Sequence, residues 1–120
     1  MTKKAFTTFG VGATAEGAFD RTLQPLPLGI THVREVAVPD GVNPSKLGTW
    51  VQRTALDGVV PEDAPAELHV AIAQAAALLD DPNLTLAIDM TGTVAGDKMR
   101  QRLGAADGEP AFLLFGLTAA

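Results

Sequence analysis

The pattern of hydrophobic and polar residues divides the chain into an early part with strand signals and a later part that alternates helices and strands. The early part has three segments of aromatic, β-branched or alternating composition, each bounded by Gly, Pro or Asp-Gly. We predict β-strands over residues 4–11, 18–26 and 30–38. The glycines around positions 10–17 predict a hairpin that joins the first two strands.

The period of the pattern changes to that of a helix after the third segment. Asn43 and Pro44 are typical of a helix N-cap and first helical position, and apolar residues then recur at helical spacing as far as Gly58. A second helix is predicted over residues 66–79, where one face is apolar. The change of period therefore predicts two consecutive helices.

The last third of the chain alternates strand, helix and strand. Residues 84–90 are short, mostly apolar and bounded by turns, which predicts a strand in the interior of the sheet. A short helix is predicted over residues 93–103, ending at Gly104, and the apolar run 110–117 predicts a buried neighbouring strand. We therefore expect an α/β fold in the order β-β-β-α-α-β-α-β, with five strands in one mixed sheet and helices packed on it.

Composition narrows the class of protein. At 120 residues, with 47% hydrophobic and 19% charged, the chain suits a single folded domain over residues 1–120 rather than a disordered one. The absence of cysteine excludes disulfides, thiolate metal sites and a cysteine nucleophile. No apolar run reaches the ~20 residues of a membrane span, so we expect a soluble, cytoplasmic protein with no membrane partner.

Charge bears on nucleic-acid binding. The formal net charge of −5 opposes nonspecific attraction to phosphate polymers, so such binding would need a local basic patch. Lys98, Arg100 and Arg102 lie on one short predicted helix and are the best candidates for it. The alternative, which we favour, is that they form a solvated helix face.

The most specific motif is the strand 84–90 and the residues that follow it. An apolar strand ends in Asp89, one residue follows, and Thr91-Gly92 then leads into the predicted helix. This motif resembles that of phage terminase-type nuclease domains of the ribonuclease H-like superfamily, and residues 32–38, Trp50-Val51 and 112–118 are similar to neighbouring segments of that family. The resemblance implies a ribonuclease H-like sheet in which Asp89 is one of several carboxylates that hold paired magnesium ions.

The chain departs from that family in its first strand. Active relatives carry another Asp there, whereas residues 6–13 contain no acid. Glu16, Asp20 and Asp97 are nearby acids, but none occupies the family position. The resemblance therefore implies a degenerate, non-catalytic member that binds no cofactor, with Mg²⁺ expected only if further carboxylates converge on Asp89.

Three alternatives to this interpretation remain, two for the motif residues and one for the whole chain. Asp89 can instead cap the following helix through its backbone N–H groups, and this is the interpretation we favour. Thr91, Gly92 and Thr93 are weak candidates for binding a small anion at the start of that helix. The chain as a whole can instead be a structural or interaction module whose sheet edge or apolar helix face binds a protein partner or a second copy.

Overall fold

A single mixed sheet organises the protein in the computed structural model, which describes residues 3–119. The elements are β1 (Lys3–Val11), α1 (Ala15–Asp20), β2 (His32–Glu35), α2 (Pro44–Asp57), α3 (His69–Leu78, after a 3₁₀ turn at Ala66–Leu68), β3 (Leu84–Asp89), α4 (Val94–Arg102) and β4 (Ala111–Ala119). The sheet has four strands in the order β1-β4-β3-β2. β4 is antiparallel to both of its neighbours, and β2 runs parallel to β3. The predicted mixed α/β architecture is confirmed.

Helices cover both faces of the two central strands. Leu86 and Ile88 of β3 pack in one apolar cluster with residues of α2 and α3, whereas Ala87 packs in a second cluster with α1. This alternation is the period of two expected of a strand that is buried on both faces. The prediction that residues 84–90 form an interior strand is confirmed, because β3 lies between β4 and β2.

The predicted helices after residue 43 are also confirmed. The side chain of Asn43 accepts a hydrogen bond from the N–H of Ser45, Pro44 occupies the first turn, and Gly58 ends α2 in a left-handed conformation with φ of 81°. Gly48 in α2 allows close packing on the sheet, since a Cβ there would lie 3.0 Å from the Leu113 side chain. None of the helices within residues 3–119 is long and apolar enough to cross a membrane.

The predicted second strand, residues 18–26, is wrong. Its first residues belong to α1, which Thr14 caps by accepting a hydrogen bond from the N–H of Gly17, and Thr22 makes only an isolated bridge. The glycines before α1 let this helix lie directly against the end of β1, because a Cβ on Gly12 would come within 2.6 Å of the Ala18 nitrogen. The glycine-rich segment thus connects β1 to a helix rather than to the second strand of a hairpin.

The strand order differs from the predicted ribonuclease H-like arrangement. With no second strand to form a hairpin, β1 pairs instead with the last strand, over nine residue pairs from Lys3↔Ala119 to Val11↔Ala111. Within residues 3–119 the sheet therefore contains four strands rather than five, with β1 at one edge and β2 at the other. The predicted third strand is shorter than expected, spanning His32–Glu35.

Candidate functional site

A cleft opens where β3 ends and α4 begins. It has a volume of about 490 Å³ and is lined by Asp89, Thr91, Asp97, Arg100 and residues 108–110. We call it the β3 cleft. Ligands of α/β proteins commonly bind outside the carboxyl ends of strands, so this is the position at which a functional site would be expected.

Asp89 reaches the cleft because of its place in the alternation of β3. Ile88 is fully buried on one face, and so the next side chain is directed to the other face at the end of the strand. Met90 is again fully buried and anchors the chain before it turns. Gly92 then adopts φ of 83°, a left-handed conformation that favours glycine, and the chain enters α4.

The Asp89 carboxylate is bonded to the turn that follows it. One oxygen, Oδ1, accepts hydrogen bonds from the backbone N–H of Thr91 at 2.8 Å and from the Thr91 hydroxyl at 2.5 Å. The N-cap of α4 itself is Thr93, whose side chain accepts a hydrogen bond from the N–H of Gly96 at 2.9 Å. The favoured prediction that Asp89 caps this helix is therefore corrected: Asp89 does accept from the N–H of Thr91, but it fixes the turn before α4, four positions ahead of the N-cap Thr93.

The three residues considered for anion binding all take part in the same turn. The N–H and hydroxyl of Thr91 both donate to Asp89, and the hydroxyl of Thr93 donates to the Met90 carbonyl at 2.7 Å. Gly92 supplies the conformation of the turn. The negative group held at this position is thus the chain's own Asp89.

The opposite wall of the cleft is held by two arginines that bind carbonyl groups. Arg100 Nε donates to the Glu109 carbonyl at 2.6 Å, and Arg21 Nη2 donates to the Leu103 carbonyl at 2.9 Å. Arg21 also forms an ion pair of 3.2 Å with the Glu109 carboxylate. These contacts join the ends of α1 and α4 to the segment before β4.

Glu109 is the second carboxylate of this wall. A hydrogen bond from the N–H of Ala106, and then the Arg21 side chain, lower the pKa of Glu109 from its ordinary value. Glu109 and Arg21 belong to no motif in the sequence. They lie 88 positions apart, and no local pattern signals their contact.

The candidate basic patch does not form one surface. Lys98 and Arg102 are exposed and lie four positions apart on α4, hence on the same side of the helix. Arg100, two positions from each, is about 200° away around the helix axis and is partly buried in the wall of the cleft. Only Lys98 and Arg102 therefore lie on the same solvent-exposed side of α4.

Asp97 is the one further predicted acid that lies in the cleft with Asp89. Glu109 lines it too, but its carboxylate is engaged by Arg21 and by the N–H of Ala106. Within residues 3–119, no group of three or more His, Asp or Glu side chains is placed to hold a metal ion. The condition set for a magnesium site, convergence of several carboxylates on Asp89, is not seen in this part of the chain.

Glu16 and Asp20 lie in a second cleft, of about 430 Å³, between α1 and the start of β2. His32 also lines it, and its Nε2 lies 3.1 Å from Asp81 Oδ2. Hydrogen bonds from the N–H of Asn83 and from His32 lower the pKa of Asp81. This second cleft is built from other residues than the β3 cleft, so these two acids do not join Asp89.

Comparison of the chain with protein families, with curated proteins and with solved structures finds no match.

Proposed function

We propose that this chain is a non-catalytic α/β domain that acts by binding protein. Its β3–α4 segment resembles the motif of phage packaging nucleases but lacks their metal chemistry. The observation that carries the non-catalytic part of this proposal is the bonding of Asp89, whose carboxylate closes the turn into α4 through Thr91. An acid with this local structural role needs no catalytic partner to account for its presence.

The charges around the cleft also oppose a two-metal site. Two-metal cleavage needs carboxylates from different elements that hold ions about 3.5–4 Å apart. Glu109 is neutralised by Arg21, and Arg100 adds a fixed positive charge to the cleft lining. A cation in the β3 cleft would therefore meet Asp89 and Asp97 but also a guanidinium.

Protein binding is supported by the edges of the sheet. β1 is an edge strand, and part of its outer side has no backbone partner among residues 3–119. Unpaired backbone groups at a sheet edge form a template on which another strand can add. The chain thus offers a polypeptide-binding surface that is independent of the β3 cleft.

The test is a cleavage assay on the purified full chain. Single- and double-stranded DNA and RNA are incubated with it in magnesium or manganese, beside the Asp89→Asn variant. Asn keeps an oxygen that can accept from Thr91, so this control retains the turn while losing the charge. We expect no cleavage by either protein. Cleavage by the parent chain that disappears in Asp89→Asn would overturn the proposal.

A further inference from the structure

β2 is an edge strand of the sheet, and its outer side is open. Val36 N–H donates to the Ala87 carbonyl at 2.8 Å, so the even-numbered residues of this segment direct their backbone groups towards β3. Because successive residues of a strand direct these groups to opposite sides, the N–H and C=O groups of Val33 and Glu35 lie on the outer edge. No backbone hydrogen bond from within residues 3–119 satisfies them.

The second cleft lies beside this open edge. It has a volume of about 430 Å³ and is lined by residues of α1 and of the start of β2, namely Glu16, Phe19, Asp20, Thr31, His32 and Val33. Val33 packs in the apolar cluster that contains α1, so its side chain lies on the α1 face of the sheet. A strand added to β2 would place the side chain opposite Val33 on that face, with Cβ atoms about 4.5–5.5 Å apart. The second cleft is therefore positioned to receive that side chain.

The acids around this edge are uncompensated. Glu16 and Asp20 lie four positions apart on α1, hence on the same side of the helix, where like charges destabilise it. Glu35, two positions after Val33, adds a third carboxylate on the α1 face. The ion pairs and hydrogen bonds within residues 3–119 engage other acids and leave these three carboxylates without a partner.

The cations close to these acids in sequence do not neutralise them. Arg34 alternates to the opposite face of β2, where the next even-numbered residue packs in the cluster that contains α2. Arg21 is paired with Glu109, and His32 with Asp81. A ligand at this edge therefore meets negative charge, and the complementary ligand is a cation.

The lining of the cleft favours the side chain of Lys or Arg as that cation. Phe19 and Val33 are half-buried and supply apolar surface beside the two carboxylates of α1. Lys and Arg pack their methylene groups on apolar surface while the charged end stays in contact with water and acids. The unpaired backbone groups of β2 bind an extended main chain. A basic polypeptide in extended conformation matches all of these features.

We propose that β2 binds an extended segment of a partner protein as an additional strand, with a Lys or Arg side chain of that segment in the second cleft. The residues that oppose Val33 and Glu35 are two positions apart in the segment. Lys or Arg at alternate positions thus places one cation beside Glu16 and Asp20 and the next beside Glu35. This inference rests on the protein-binding part of the proposed function and names the chemistry of the partner.

The first experiment tests the charges of the cleft. A fluorescein-labelled peptide of alternating Lys and Thr is titrated with the full chain, and fluorescence anisotropy gives its Kd. Glu16→Gln/Asp20→Asn should weaken binding about fivefold, as expected for exposed ion pairs. Glu62→Gln/Glu67→Gln is the matched control, since it removes the same charge from exposed positions outside the cleft and should keep the parent Kd. A peptide with Glu in place of Lys should not bind.

The second experiment tests the backbone pairing. Glu35→Pro removes the carboxylate and the outward N–H without removing a hydrogen bond to β3, whereas Glu35→Gln removes the charge alone. We expect Glu35→Pro to bind the Lys peptide about threefold more weakly than Glu35→Gln. In the parent chain, the peptide should slow amide hydrogen exchange at Val33 and Glu35. Thermal unfolding checks that each variant is folded.

The inference is overturned if the Lys peptide does not bind or if the Glu peptide binds equally well. Equal Kd values for Glu16→Gln/Asp20→Asn and its control, or unchanged exchange at Val33 and Glu35, would overturn it too. If it fails while Asp89-dependent cleavage is absent, the non-catalytic part of the proposed function stands. Peptide binding together with such cleavage would instead refute that part alone.

Discussion

Replacing Ile88 by Ala tests the packing that directs Asp89 to the cleft. Ile88 of β3 is 0% exposed and lies in the apolar cluster that the sheet forms with α2. Removal of three carbons costs about 2.4 kcal/mol at about 0.8 kcal/mol per buried methylene. A residual cavity on the order of 50 Å³ adds about 1 kcal/mol at ~24 cal/mol per Å³. We therefore expect Ile88→Ala to lower the free energy of unfolding by about 3–4 kcal/mol.

Urea denaturation measures this loss as a lower midpoint with an unchanged slope. Val94→Ala is the control, because Val94 is apolar but 73% exposed, and its change should stay within about 0.5 kcal/mol. A loss for Ile88→Ala as small as that of the control would refute the assignment of Ile88 to the core. The alternation of β3 would then no longer direct Asp89, the next residue, to the cleft.

Three further predictions concern the cleft. Asp89→Ala should lower the free energy of unfolding by about 0.5–2 kcal/mol and Asp89→Asn by less, since Asn can still accept from Thr91; a stabilising Asp89→Ala would contradict this. Gly96→Ala should destabilise by at least about 1 kcal/mol in urea, because its Cβ would clash with the Met90 carbonyl oxygen, and wild-type stability would disprove that contact. The pKa of Glu109 is lowered from 4.5 in the folded protein, so its stabilisation is present above pH 4.5 and is lost as pH falls through the folded value. Unfolding of Glu109→Gln should therefore depend less on pH below 4.5, and an unchanged dependence would refute the lowered pKa, which is due first to the N–H of Ala106 and then to Arg21.

The helices could be predicted from sequence because their signals are local. Asn43 caps the start of α2 and Gly58 ends it, so both signals lie next to the helix that they delimit. Thr93 begins α4 in the same way. Capping bonds join residues two or three positions apart, so a single sequence contains both partners. The apolar run of β3 was equally informative, since a strand buried on both faces leaves few other interpretations.

The sheet order could not be predicted because it depends on distant contacts. β1 pairs with β4, more than a hundred positions later for Lys3↔Ala119, and no local pattern sets that register. The error at residues 18–26 did have a local signal. Thr14 is followed by Ala15 and Ala18 at helical spacing, which is the pattern of a short capped helix. The glycines on either side have low helix propensity and favoured the prediction of a hairpin instead.

In the candidate site, too, the residues with local signals could be predicted and those with distant contacts could not. Asp89 was singled out from the sequence because the end of its strand and the turn after it are local features, and the structure places it in the lining of the β3 cleft. Arg21 and Glu109 were missed, although their ion pair joins the end of α1 to the wall of the cleft. Such a pair is specified only by the tertiary fold. Exposed pairs of this kind do not alter the pattern of hydrophobic residues, so the sequence gives no signal for them.

The local roles of the motif residues bear on what the nuclease resemblance means. Asp89 closes the turn by accepting from Thr91, Gly92 supplies its left-handed conformation, and Thr93 caps α4. Asp, both Thr residues and Gly of the Asp-x-Thr-Gly-Thr sequence thus each take part in the strand-to-helix connection itself. The strand–turn–helix connection therefore accounts for these residues without nuclease chemistry, and the Asp89→Asn cleavage assay decides whether such chemistry accompanies it.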